Sequence, residues 1–252
     1  MPKNAGINNA QNVKLDQDDN AVAAHTKDDV FSTGTVQPPA ISPAGDMWFG
    51  TGNTPDNYNI TDNANLGVET GLKIHVRGGA DYTPTGSGPN GEQDYSVAAG
   101  VQSSTRASWN FDYDVNTAAG VAPGDTVNLA AAPGLSAYDF KMEITQSGPQ
   151  FLSPHTAIFD LNAATHVWVD ENNSALAFGG DDFQPSKGAS ADVMAHVAEN
   201  SVNLGFASLQ AEFGPLATST AAGTTYDIKL AGFTAGSPNM VTFTHDVITL
   251  HA

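Results

Sequence analysis

Cysteine is absent from this 252-residue chain, and cationic side chains are scarce: 9 Lys+Arg stand against 27 Asp+Glu, a formal net charge of -18. Without cysteine there is no disulfide scaffold, no thiolate metal site and no thiol nucleophile. With so few cations, the chain repels DNA, RNA and anionic lipid, so nucleic-acid and membrane-surface partners are disfavoured. No stretch approaches the roughly 18 consecutive apolar residues that a spanning helix needs. Glutamate is also rare, with 21 of the acids Asp and only 6 Glu. Glutamate suits helices, whereas aspartate suits turns, caps and hard cations. The balance predicts a loop-rich β protein in a setting where divalent cations screen it.

Alternation carries the fold prediction. In GLKIHVR, Leu72, Ile74 and Val76 share one face, and Lys73, His75 and Arg77 the other. ASWNFDYDV sets Trp109, Phe111, Tyr113 and Val115 inward, with Asn110, Asp112 and Asp114 outward. AYDFKMEIT sets Tyr138, Phe140, Met142 and Ile144 against Asp139, Lys141 and Glu143. HVWVD, ALAF, VNLGFASL, TYDIKLAGF and the terminal MVTFTHDVITL are further strand candidates. Period-2 patterning predicts half-buried antiparallel strands, and many short ones predict an all-β sandwich or jelly roll with long Gly/Pro/Asn-rich loops. Helical periodicity is confined to a weak stretch at residues 191–200. Residues 1–45 read as an extended N-terminal arm or flexible leader, and 46–252 as a single sandwich domain. The arm holds two aspartate clusters and the proline-rich VQPPAISPAG.

Calcium is the cofactor this composition suggests, since it takes six to eight oxygen ligands from carboxylates, amides and loop carbonyls. The candidate ligands are Asp16, Asp18 and Asp19; Asp28 and Asp29; Asp112 and Asp114; Asp170 and Glu171; Asp181 and Asp182. Asp16-x-Asp18 has the opening spacing of an EF-hand, but Ala21 stands where its glycine belongs and Lys27 where its glutamate belongs, so that motif is rejected. The histidines (His25, His75, His155, His166, His196, His245 and His251) form no dense metal-binding spacing, and on strands they are expected to face solvent or a partner. A nucleophile elbow, a phosphate-binding loop and a dinucleotide fingerprint are absent, and GSGPNG reads as a hairpin loop. Paired carboxylates leave a secreted hydrolase as a third reading. Trp109 and Trp168 alternate with polar neighbours and are expected in the core. Trp48 is the candidate for sugar stacking, or for anchoring the arm.

Two blocks carry a family resemblance: FGTGNTPDNYNITDNANLGVETGLKIHVRGG (49–79) with SWNFDYDVNT and YDFKMEI, and VAENSVNLGF (197–206) with TTYDIKLAGFTAG (224–236). Together they resemble the ectodomains of PEP-CTERM-like and related type I-exported proteobacterial surface proteins, in which QNS-x-N-x-x-F precedes a G-T-Y-D-x-x-L-x-A strand. The chain departs from that pattern in lacking a Pro-Glu-Pro motif, a transmembrane helix and a basic tail, so anchoring is not implied. FGGDDF (178–183) resembles a glycine-rich calcium nonapeptide that is neither completed nor repeated. The resemblance implies a β-sandwich at an extracellular or cell-surface location. The resulting expectation is a non-catalytic structural protein: a self-assembling matrix, surface-layer or filament subunit, a homo-oligomer or polymer built through its arm and calcium. The alternative is a carbohydrate- or surface-ligand-binding module, with a polysaccharide partner at Trp48.

Overall fold

The computed structural model describes residues 47–49, 58–63, 65–88, 92–117, 133–161 and 197–252. Expectations for the arm (1–45), Asp16, Asp18, Asp19, Asp28, Asp29, Asp170, Glu171, Asp181, Asp182 and the HVWVD and ALAF strands lie outside these residues. For Trp48 the backbone is described and the side chain is not.

The described strands are β1 (Met47–Phe49), β2 (Asn59–Asn63), β3 (Val68–Val76), β4 (Gly86–Ser87), β5 (Gln93–Ala98), β6 (Val101–Ser103) and β7 (Arg106–Ala107). The rest are β8 (Trp109–Asn116), β9 (Tyr138–Ser147), β10 (His155–Asp160), β11 (Val197–Val202), β12 (Thr225–Thr234) and β13 (Met240–His251). Sheet A runs β1-β11-β8-β3-β2, sheet B runs β10-β9-β12-β13-β5-β4, and β6-β7 is a separate hairpin. The all-β sandwich expected from alternation is therefore present. Its pairing is mixed rather than wholly antiparallel: β1 lies parallel to β11, and β13 parallel to β5. Alternation reports the face of each residue and not the direction of its neighbour, so these pairs left no mark in the pattern.

The inward residues of both sheets meet in one core. Leu72, Ile74, Trp109, Phe111, Tyr113 and Val115 of sheet A pack with Phe140, Met142, Ile144, Tyr226, Ile228 and Leu230 of sheet B. Trp109 and Tyr226 join the sheets with ring centroids 5.7 Å apart, and Phe213 meets Tyr226 edge-on at 6.0 Å. Each such aromatic pair adds about 0.5–1.5 kcal/mol beyond area burial.

Phe213 belongs to α1 (Ala207–Phe213), followed by α2 (Leu216–Ser219). This segment corrects the strand expected over VNLGFASL, because β11 stops at Val202. Leu209 and Phe213, four residues apart, share one face of α1, and Leu216 at the start of α2 joins them in the core. Gly214, at φ 79, and Pro215 then break the chain between the two helices. Upstream, Gly205 sits so close to Thr105 that a Cβ there would collide with the Thr105 carbonyl oxygen. Asn203 shapes the same turn, its Oδ1 accepting from the amides of Ala107 (2.9 Å) and Gly205 (2.8 Å).

Where β2 and β3 lie under β13, the layer between the sheets is polar. The Thr70 hydroxyl oxygen lies 2.9 Å from those of both Thr242 and Thr244, and since Thr242 and Thr244 donate to the carbonyls of Thr61 and Thr70, its single proton serves one of them at a time. Asn63 Nδ2 donates to the Val241 carbonyl at 2.8 Å. Buried hydroxyls and amides that find partners fix one register, since a slip would leave them unpaired.

Candidate functional site

Three groups of charged or edge-strand residues stand out, and the first lies on the outer face of sheet A. Cross-strand register places Glu69, Gly71, Lys73 and His75 of β3 opposite Asn116, Asp114, Asp112 and Asn110 of β8. Of these, Lys73, His75, Asn110, Asp112 and Asp114 were expected on the outward face. Instead every residue of β8 is buried, and so are Glu69, Lys73 and His75. This corrects the solvent-facing expectation for His75, Asp112 and Asp114. Part of the cover is Tyr58, just before β2, which occupies the space that Gly71 leaves. A Cβ on residue 71 would stand 3.2 Å from the Tyr58 ring.

Lys73, His75 and Asp112 compensate one another's charge on this face. Lys73 Nζ lies 3.7 Å from Asp112 Oδ2, 3.9 Å from Asp81 Oδ1 and 4.5 Å above the Tyr58 ring. His75 Nε2 is 2.9 Å from Asp112 Oδ1, and its Nδ1 is 2.9 Å from the Val76 carbonyl. Both partners accept, so the protonated ring, with a donor on each nitrogen, satisfies both contacts. Burial pulls the His75 pKa down, but the hydrogen bond and charge of Asp112 outweigh it and hold the pKa above 6.5.

Ser201 completes a Ser, His and Asp set that cannot act as a nucleophilic relay. Its Oγ lies 3.3 Å from His75 Nε2, the same nitrogen that binds Asp112. A relay needs nucleophile and acid on opposite ring nitrogens, and here both meet Nε2. Ser201 Oγ instead accepts from Asn110 Nδ2 at 2.7 Å, and Asn110 Oδ1 accepts from Asn203 Nδ2 at 2.6 Å. The network therefore holds three strands in register.

The second group is on sheet B. Lys229 Nζ pairs with Glu143 at 3.0 Å and Asp227 at 3.6 Å, and His245 Nε2 bonds Asp227 Oδ1 at 2.8 Å. Burial raises the Asp227 pKa, but His245 and Lys229 together bring it below 3.8. One residue along β13, Asp246 turns inward between the sheets and is completely buried. Asn59 Nδ2 donates to its Oδ1 at 2.8 Å, and its Oδ2 has no hydrogen-bond partner among the described residues. Desolvation pushes the Asp246 pKa up to about 7, with Asn59 pulling the other way. Asp246 escaped the sequence reading, although alternation with Ile248 and Leu250 places it on the apolar face.

Asp112 and Asp114 are neighbours on one face of β8, yet Asp112 is occupied by Lys73 and His75. Among the described residues no three His, Asp or Glu side chains converge as a metal site. Trp109 is buried as expected. His155 faces Glu212 at 3.3 Å on the surface.

The third feature is the edge of sheet A. The first described strand after the N-terminal segment, β1, adds to β11 in parallel, with Met47, Trp48 and Phe49 opposite Val197, Ala198 and Glu199. Among the described residues, β11 is its only strand neighbour. No helix among the described residues is long and apolar enough to cross a membrane. No protein-family model, curated protein or solved structure matches the chain.

Proposed function

We propose that this chain is a non-catalytic, extracellular structural protein whose copies assemble into a matrix, surface layer or filament by exchanging N-terminal strands. The observation that supports this reading is the parallel addition of β1 to the edge of sheet A. A three-residue strand beside a single described neighbour is held there by few hydrogen bonds, and β11 accepts it through main-chain groups that any copy can offer. The β1 of a second copy makes the same contacts, so exchange converts an intramolecular pairing into an intermolecular one at little cost. Calcium bridging between aspartate-rich surfaces offsets the repulsion between molecules of charge -18.

The absence of cysteine gives a clean test. Trp48 and Ala198 are Cα partners across the β1–β11 pair. Trp48→Cys and Ala198→Cys chains, each singly substituted, are mixed, incubated and oxidised. Strand exchange predicts a covalent heterodimer on a non-reducing gel, within the limits of disulfide geometry. The doubly substituted chain is the control for bond formation at this pair. If the double variant closes on itself and the mixture yields only monomer, strand exchange is wrong.

A further inference from the structure

The chain has two arginines, Arg77 and Arg106, and the fold brings both to the β6–β7 hairpin. Arg77 follows β3, and its amide donates to the Ser108 carbonyl at 3.0 Å. Its guanidinium donates to Gln102 of β6. Arg106 lies in β7, opposite Ser103 of β6. Its Nη1 donates to the carbonyls of Thr105 (2.8 Å) and Gly205 (3.4 Å), and the guanidinium stands 5.2 Å over the Phe206 ring. All of these acceptors are neutral. The described Lys73 and Lys229 have carboxylate partners, whereas neither arginine makes an ion pair among the described residues. Both guanidiniums are positioned by the fold and still have donors to spend, since each carries five N–H groups. Beside them, Val76 is 39% and Val101 48% exposed, two of the few large apolar side chains left in water among the described residues.

We infer that this arginine–valine patch is the dock for the aspartate-rich segment of a second copy, residues 13–31. The inference rests on the self-assembly reading above and gives it a second contact. Residues 13–31 read VKLDQDDNAVAAHTKDDVF: five aspartates against Lys14 and Lys27, interleaved with Val13, Leu15, Val22, Val30 and Phe31. Acidic and apolar groups in one segment match guanidiniums and valines in one dock. A uniform polyanion, such as an acidic polysaccharide, would use the arginines and leave Val76 and Val101 idle. In a molecule of charge -18, a fixed cationic patch also orients the approach of a like-charged neighbour.

The test uses the full chain and a fluorescent synthetic peptide of residues 13–31, read by anisotropy at low salt. The variants are Arg77→Glu/Arg106→Glu and Val76→Ser/Val101→Ser, each with its melting curve measured. Arg77→Gln/Arg106→Gln serves if the charge reversal does not fold. The expected result is peptide binding weakened at least tenfold by either pair of changes. A peptide with Asp16, Asp18 and Asp19 changed to Lys should bind the Arg→Glu chain better than the wild-type peptide does. Unchanged binding in the arginine variants overturns the dock. Binding that ignores the valines and is displaced equally by dextran sulfate also overturns it, in favour of a general anion site. The Trp48→Cys and Ala198→Cys mixture keeps the two ideas apart. A cross-linked dimer with no arginine-dependent peptide binding removes the dock and leaves strand exchange standing. Arginine- and valine-dependent binding without that dimer does the reverse.

Discussion

Asp246 is where one carboxyl group governs how the sandwich responds to pH. In the unfolded chain it titrates near 3.8, and in the fold near 7. The folded state therefore holds its proton more tightly, and the contribution of this group is complete below pH 3.8 and lost as pH rises to about 7. Three units at 1.36 kcal/mol each set a ceiling of about 4 kcal/mol. Asp246→Asn keeps an oxygen for Asn59 and removes the ionisation. Its expected effect is a higher melting temperature at pH 8 and little change at pH 4, measured by scanning calorimetry. A variant that is equally or less stable than wild type at both pH values would show that the buried carboxyl is not the cause. His75 acts in the same direction, its contribution present below pH 6.5 and lost above its raised pKa. Asp227 acts on the acid side, where its lowered pKa makes stability fall as pH drops below 3.8. The combined contribution of these three groups is largest in mildly acidic solution.

Among the elements, the α1–α2 segment carries the clearest consequence. Phe213 plugs the end of the core against Tyr226, and the Tyr226 hydroxyl donates to the Ser219 carbonyl of α2 at 2.8 Å. Phe213→Ala should cost about 3–5 kcal/mol, read as a shifted denaturation midpoint at constant slope. A loss under about 1 kcal/mol would mean that the segment packs independently of the sandwich. The strands around it were legible because half-burial writes itself into period 2, and β3, β8, β9, β12 and β13 all fall on the segments that alternate. What alternation could not say is whether the polar face meets water. Lys73, His75 and Asp112 look like solvent residues in sequence, and their burial depends on Tyr58 and on cross-strand partners such as the His75–Asp112 pair, 37 positions apart. The helix was missed for a different reason. VNLGFASL is apolar enough for a strand, and the four-residue spacing that distinguishes a helix, Leu209 to Phe213, extends beyond that window. Of the candidate ligands, Asp112 and Asp114 were correctly placed on one face, but side-chain partners are set by register, which a single sequence does not encode.

For the whole molecule, the balance of charge decides how copies approach. Under the proposed assembly, EDTA should dissolve polymers formed with calcium, and raising monovalent salt in EDTA should partly restore them by screening, as seen by negative-stain microscopy. Polymers indifferent to EDTA would remove calcium from the proposal without touching strand exchange. The short β1 strand has a further consequence. At the other end of the chain β13 is clamped between β12 and β5, whereas β1 has one described neighbour over three residues. In a polymer joined by exchanged β1 strands, a pull along the chain reaches the junction and the sandwich in series. The junction yields first, so the material would tear between intact subunits and heal by re-insertion, behaving as a reversible fastener rather than a permanent weld.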